Sequence, residues 1–435
     1  MFTVAVLGGG AAGIGAARRL LQAGARVLLF DPAAQLGGNC VGLRVADAHG
    51  EPVEIDVGVS DFNAATFREF SALLAELGLE TQPIGADAHF ATLGGETLAA
   101  VQNGVFTVRP RLRGADRLED EVRAFRERAI EALEDPRFAN GTLADYLAHH
   151  GCSPAFRDAV LLPRAMGCFP MPNAAPEHHE LRALLRFWQV HGLVSRAPSD
   201  RRCVVGGMHR YPRAFARWFE SSGGELHLRT RVRSLARDRR CVRLVTQDDA
   251  GRSRMLHVDD VVLACAPLAA LEMLGDACAA EIRSLAAIPM QRARVVVHRD
   301  PRLLGADPSV WGAYHYVAPE GALPAVRPTI TFHPQRLARL PESCAGIAVS
   351  MNPHVEPVTS LVLAERSFLH PVGGARAERA AAALLELQGA RRTWFAGAHL
   401  RAPYVHEPAL RSGIAAAEGI LARVSGAAPA LARGA

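Results

Sequence analysis

Three observations in the sequence predict an α/β protein built on a Rossmann-like parallel sheet. An apolar run containing Val4, Val6 and Leu7 ends at once in Gly8-x-Gly10-x-x-Gly13. Ala16, Ala17, Leu20 and Leu21 then recur at helical spacing as far as Gly24. A second apolar run, Val27-Leu28-Leu29-Phe30, closes on Asp31, 18 residues after Gly13.

Each element has a physical reason. The first strand lacks polar alternation, as expected where both faces of a parallel sheet are covered. Gly8 permits the turn, Gly10 lets backbone approach a pyrophosphate, and Gly13 lets the helix pack on the strand. The free N–H groups of Ala11, Ala12 and their neighbours at the helix start then face the phosphates. Gly24 ends the helix. Asp31 is placed to accept hydrogen bonds from a ribose diol and to repel a 2′-phosphate. Strand, helix and acidic residue in this order point to a dinucleotide site rather than an ordinary strand–helix–strand unit. The same stretch lacks the basic start and unbroken apolar segment of a signal peptide. Arg18 and Arg19 break it as a membrane span.

The segment "DPAAQLGGN" sets Gly37-Gly38 shortly after Asp31. With "EIDVGVSDFN", "GGELHLRTRVRSLARDRRCVRLVT", "VDDVVLACAPLAALEML" and "RTWFAGAHLRAPYVHEPALRSGIAAAEGIL", the chain resembles the flavin-containing amine oxidase superfamily. "LLPRAMGCFP", "LLRFWQVHGLVSR", "VVGGMHRYP", "SVWGAYHY", "SMNPHVEP" and "LHPVG" are similar to a bacterial branch of amine oxidoreductases associated with cyclopropane-fatty-acid synthases. "LGGNCVG" and "HHGCSPAFRDAVLLP" resemble flavin-dependent fatty-acid double-bond isomerases.

The resemblance implies FAD as cofactor and a nucleotide domain that the chain leaves and re-enters. Residues 1–60, 204–290 and 390–435 form the FAD-binding domain. Residues 61–203 and 291–389 form an inserted α+β substrate domain, helices first and then strands such as "RARVVVH", "TITFH" and "AGIAVSM". Implied FAD contacts are Phe30, Pro32, Asn39, Cys40, Gly58, Val59, Val232 through its backbone, Ala264, Gly397, Ala398, Glu407 and Leu410, beside the glycines and Asp31 named above. Gly94-Gly95, Gly206-Gly207, Gly223-Gly224 and Gly373-Gly374 lack GxGxxG spacing, so no second Rossmann module for NAD(P)H is expected.

Three positions depart from the superfamily pattern. Gln35 and Asn39 stand where many relatives place basic residues, and Ala398 stands where the "AGE" signature has its acid. The 435 residues contain no lysine, so all 49 basic side chains are arginines. Many amine oxidases of the superfamily use a lysine to hold a water at the flavin ring. Arginine does not lose its proton and cannot take over general-base work. The remaining candidate bases are His406 and Glu407 in "YVHEPALRSG", with flavin packing the alternative for His406 and a helix N-terminus for Glu407. Alternation on a strand lets only some of Tyr314, His315 and Tyr316 face a substrate. His191 and His209 read as turn residues.

Composition bounds the rest. The net charge of +5 is scattered among acids, as in the amphipathic "RLEDEVRAFRERAIEALED", and no basic stripe suggests nucleic acid. The eight cysteines form no CxxC pair, which suits reduced thiols in a cytoplasmic protein. Cys265 reads as core. Cys40 reads as a packed residue, with a reactive thiol or covalent flavin anchor as the alternative. "EHHE" (Glu177 to Glu180) reads as a solvated helix start rather than a metal site, since adjacent helical residues point apart. No metal and no transmembrane segment are expected.

The reading that follows is an FAD-dependent oxidase or desaturase taking a hydride from an aliphatic or amine-bearing metabolite. Its electron acceptor would be oxygen or a diffusible molecule. Redox-neutral double-bond isomerisation of a lipid-like substrate, and flavin binding without turnover, are the alternatives. The sequence leaves the oligomeric state open.

Overall fold

In the strand Thr3–Leu7, Val4 and Val6 enter one hydrophobic core while Ala5 and Leu7 enter another. In the computed structural model this strand is the middle of a five-stranded parallel sheet. The order is Glu225–His227, Arg26–Phe30, Thr3–Leu7, Asp260–Leu263 and Thr393–Phe395. Leu7 stands opposite both Phe30 and Leu263, so the strands finish level at their carboxyl ends. The structure describes residues 2–85, 87–93, 97–102, 105–108, 117–168, 176–195, 199–238, 240–305, 308, 311–318 and 329–426. Gly94-Gly95, Phe169, Pro170, Arg196, Arg239, Ser309, Val310 and residues 427–435, which fall in segments singled out above, lie outside the described residues.

One face of the sheet carries the helices Ala11–Gln22, Arg210–Ser221 and His406–Ser425. The first and last of these approach closely because glycine lines their contact. A Cβ on Gly413 would overlap the Ala12 carbonyl, and one on Gly15 the Leu410 carbonyl. The other face is covered by the antiparallel strands Thr230–Arg237, Val242–Asp248 and Ser253–Val258, with the helices Ala279–Ala287 and Ala375–Leu385.

A second sheet has eight strands, in the order Val362–Pro371, Met290–His298, Ala348–Met351, Thr329–Phe332, Tyr314–Ala318, Ala88–Thr92, Thr97–Gln102 and Val105–Val108. "RARVVVH", "TITFH" and "AGIAVSM" lie on its strands. The expectation of helices first and strands later needs correction. Ala88–Thr92 from the earlier insert pairs in parallel with Tyr314–Ala318, so both inserts build one sheet. Beside it stand the helices Leu118–Glu134, Leu143–His150, Leu162–Met166 and Leu181–Val190 around a core of their own. Among the described residues no helix is long and apolar enough to cross a membrane.

"EHHE" stands at a helix start, with Glu180 as the N-cap of Leu181–Val190 and a short helical turn at Pro176–His178. It is not wholly solvated, since His179 is buried. Glu180 pairs with Thr142 in a β-bridge and accepts a 3.0 Å hydrogen bond from the Ala375 N–H.

Candidate active site

The first strand ends where the chain must turn without a side chain. Gly8 has φ of +112°, and a Cβ there would overlap the Ala264 carbonyl. A Cβ on Gly13 would overlap the Gly8 carbonyl, so helix and strand meet only through glycine. Gly10 precedes the helix Ala11–Gln22, and no side chain caps its first turn. The N–H groups there open on a cavity of about 510 Å³ that Gly8, Gly10, Ala11 and Ala12 line. The Gly37-Gly38 turn docks against this loop. Gly37 donates to the Gly9 carbonyl at 2.8 Å, and both glycines have positive φ.

Asp31 and Pro32 line the same end of the cavity. The Asp31 carboxylate accepts from Gly9 N–H at 2.7 Å and Ala33 N–H at 2.8 Å. Burial raises its pKa, against the lowering effect of those two bonds. Each oxygen keeps a lone pair for a further donor. Gln35 lies away from the cavity and accepts from Arg213, whose guanidinium also pairs with Glu54 at 2.6 Å. Asn39 lines the cavity and donates to the Leu369 carbonyl.

Farther along stand Cys40, Gly58, Val59, Ala264, Gly397, Ala398 and His406. A Cβ on Gly58 would overlap the Asn39 carbonyl, which forces the two segments together through glycine. Burial holds the Cys40 thiol well above its ordinary range, so it stays protonated and weakly nucleophilic. Cys265 is not core. It follows the strand Asp260–Leu263 and lines the cavity, because the strand stops one residue before Ala264.

Five of the implied FAD contacts, Gly13, Phe30, Val232, Glu407 and Leu410, lie outside the cavity lining. Gly13 acts through helix–strand contact, and Phe30 stacks on His227 at 4.5 Å. Val232 pairs with Thr246 beside a bulge, and Leu410 is wholly buried under the first helix. Glu407 requires a correction as a candidate base or FAD contact. Its carboxylate accepts from the N–H groups of Glu69 and Phe70 at 3.0 and 2.9 Å, capping the helix Arg68–Glu76. Those two donors turn it away from the cavity. His406 does line the cavity, packed edge-on against Phe70 and Tyr211. Its Nε2 is buried without a hydrogen bond, and burial lowers its pKa to about 4, so the ring is neutral at pH 7.

The far end of the cavity is assembled from distant segments. Arg201, on the strand Arg201–Val204, forms an ion pair with Asp61 and donates to the Tyr314 hydroxyl. Its guanidinium also lies 4.8 Å from the centre of the Tyr314 ring. Burial alone would raise the Asp61 pKa, but Arg201 and His191 hold it below the ordinary range. His191, read from the sequence as a turn residue, lines the cavity, and burial lowers its pKa to about 4. Tyr314 and Tyr316 face the cavity while His315 points to the opposite side of the strand, against His89 and His333. Arg164, on the helix Leu162–Met166, also lines the cavity and meets no carboxylate among the described residues. Desolvation lowers its pKa, but an arginine remains charged. Phe67, Phe187, Ile330, Phe332 and Phe368 supply apolar wall between the two ends. His191, Asp61, Arg164 and Arg201 carried no local signal for this site, since each looks ordinary in its own stretch.

The model of the family described as "flavin containing amine oxidoreductase" matches residues 11–304. The chain belongs to the flavin-containing amine oxidoreductases. FAD is its cofactor, and it is an FAD-dependent oxidoreductase. The residues present fit that cofactor, because two facing glycine turns and an uncapped helix start open on one cavity with Asp31 beside them. Solved structures share the fold across nearly the whole length. Cyclohexylamine oxidase from Brevibacterium oxydans IH-35A is 18% identical with a TM-score of 0.64, covering 98% of this chain and 99% of its own. A mutant of putrescine oxidase is 16% identical with a TM-score of 0.69, covering 97% and 99%. The conjugated-linoleic-acid-producing fatty acid isomerase from P. acnes is 16% identical with a TM-score of 0.65, covering 97% and 98%. No curated protein sequence matches this flavin-containing amine oxidoreductase.

Proposed function

We propose that this protein is an oxidase or desaturase that removes a hydride from an aliphatic carbon of a small, largely apolar substrate. The observation that carries the reading is the cavity itself. It runs from the glycine turns to an aromatic and aliphatic wall without a break, so cofactor and substrate share one enclosure. When bound, FAD supplies the hydride acceptor.

The chain's own residues do the rest. Gly8, Gly10, Gly37, Gly38 and the first turn of Ala11–Gln22 would hold the diphosphate, and Asp31 the ribose. Gly397, Ala398 and the start of His406–Ser425 would meet the other half through backbone, since Ala398 offers no carboxylate. Phe187, Ile330, Phe332 and Phe368 exclude water and orient an apolar body. His406 is one of the imidazoles on the cavity wall, with His191, His370 and His399, that are neutral at pH 7 and can accept a proton. It is the one that opens the helix beside Gly397 and Ala398. Hydride loss leaves a positive charge on the substrate that oxidation relieves by giving up a proton. His406, a weak base because burial lowers its pKa, would accept that proton.

Anaerobic mixing with a panel of aliphatic and amine substrates tests the reading by the flavin absorption band. Bleaching, followed by recovery and oxygen consumption when air is admitted, is expected. A holoprotein that no member bleaches, or that converts substrate with no net electron transfer, counts against it.

A further inference from the structure

The cavity's described lining contains two arginines, and their charges have different fates. Arg201 is neutralised by Asp61 and further engaged by Tyr314. Arg164 has neither a carboxylate nor a hydrogen-bond partner for its guanidinium among the described residues. A cation with no carboxylate among the described residues, in a cavity walled by Phe187, Trp188 and Ile330, is a place where an anion is favoured.

A second polar group stands ready beside it. The Tyr316 ring stacks on Phe90 at 4.7 Å and 9°, which fixes its direction. Its hydroxyl lies 3.7 Å from where a Cβ of Gly167 would stand, three residues beyond Arg164. That hydroxyl makes no hydrogen bond to a described residue. Arg164, Trp188 and Leu193 line both the main cavity and a small neighbouring depression, into which Arg126 faces from the helix Leu118–Glu134.

We propose that Arg164 and the Tyr316 hydroxyl bind the carboxylate of a substrate whose remaining body is an aliphatic chain. The head sits beside Arg164 and the chain runs along the apolar wall toward the cofactor. Arg164 and the Tyr316 hydroxyl together offer one cation and one neutral donor, a set that suits a carboxylate. The planar guanidinium presents paired donors that suit two carboxylate oxygens. An ammonium head at this end is repelled. This narrows the substrate class of the proposed oxidoreductase and rests on that reading only in taking the cavity to be the substrate's.

Equilibrium binding of a saturated acid to the holoprotein tests it without turnover. Decanoate and decylamine below their micelle concentrations, and decanol below its solubility limit, are titrated by calorimetry and by the shift of the flavin band. Decanoate should bind at least about ten-fold more tightly than either of the others. R164Q should weaken decanoate binding at least about ten-fold, R164K much less, and Y316F about three-fold, while leaving decanol unchanged. An unaltered FAD spectrum certifies each variant's fold. If R164Q loses FAD, R164K and Y316F carry the comparison. Decylamine or decanol binding as tightly as decanoate, no decanoate binding to wild type, or R164Q (Y316F in its stead) matching wild type overturns the proposal. Failure of substrates to bleach the flavin would instead strike the oxidoreductase reading and leave these binding results standing.

Discussion

The two ends of the cavity are built by different means. At the cofactor end, shape comes from backbone. Gly8, Gly13 and Gly58 each stand where a single added carbon would strike a carbonyl oxygen from another segment. At the substrate end, shape comes from long side chains contributed by four separate stretches, Asp61, Arg164, Arg201 and Tyr314. The first construction admits one residue type and is intolerant. The second offers charge and hydrogen bonding, and can be retuned one side chain at a time.

Substitutions at the two ends should therefore differ in kind. Gly13→Ala has the largest expected effect. Its Cβ meets backbone that cannot move aside, so protein should be recovered colourless or insoluble. Wild-type FAD content after purification would show that helix and strand can separate. Arg201→Met comes next, because it leaves Asp61 buried without its partner. Removing one member of a buried ion pair costs about 3–5 kcal/mol, and the denaturation midpoint should fall accordingly while FAD stays bound. An unchanged midpoint would mean that water already reaches Asp61.

Acid should act at both ends, through His191 at the substrate end and His406 beside Gly397 and Ala398 at the cofactor end. His191 and His406 have folded pKa values near 4 against about 6.5 when unfolded. Between these values the unfolded chain binds more protons, so stability rises with pH across that window and is lost as pH falls through it. At pH 5 each histidine should cost about 2 kcal/mol relative to pH 8. Thermal melts that are flat from pH 8 to 5 would show the two rings to be solvated.

Glu407→Gln is the smallest change and separates the two residues read as bases. A glutamine oxygen can keep one of the two capping bonds, so stability should drop by only about 1 kcal/mol. Flavin reduction should stay within about two-fold of wild type, whereas His406→Ala should slow it about ten-fold or more. A large rate defect in Glu407→Gln alone would reinstate its carboxylate.

This contrast also governs what could be read in the sequence. The parallel sheet and the glycine turns were legible because each rule is local: a turn at Gly8, a helix start after Gly10, an acid at Asp31. Strands such as Met290–His298 were legible from their apolar runs. The pairing of Ala88–Thr92 with Tyr314–Ala318 was not, because parallel pairing of strands more than 200 residues apart leaves no local pattern. Nor was the Asp61–Arg201 pair, in a chain where arginine is the commonest charged residue and each one looks alike. Glu407 was misjudged for a similar reason. Adjacency to the closing helix was visible, but the two N–H groups that claim its carboxylate come from residues 69 and 70.

The parallel sheet has a further consequence, for the order in which the molecule can be made. Its strands come from residues 3–7, 26–30, 225–227, 260–263 and 393–395, and the first helix rests on the last. A nascent chain can build the opening strand–helix–strand unit early. It cannot cover that unit's helical face until His406–Ser425 has left the ribosome. Pairings this distant are slow to form, since the intervening loop must be closed before any contact rewards it. A chain stopped short of His406–Ser425 exposes an apolar helix face to chaperones and proteases.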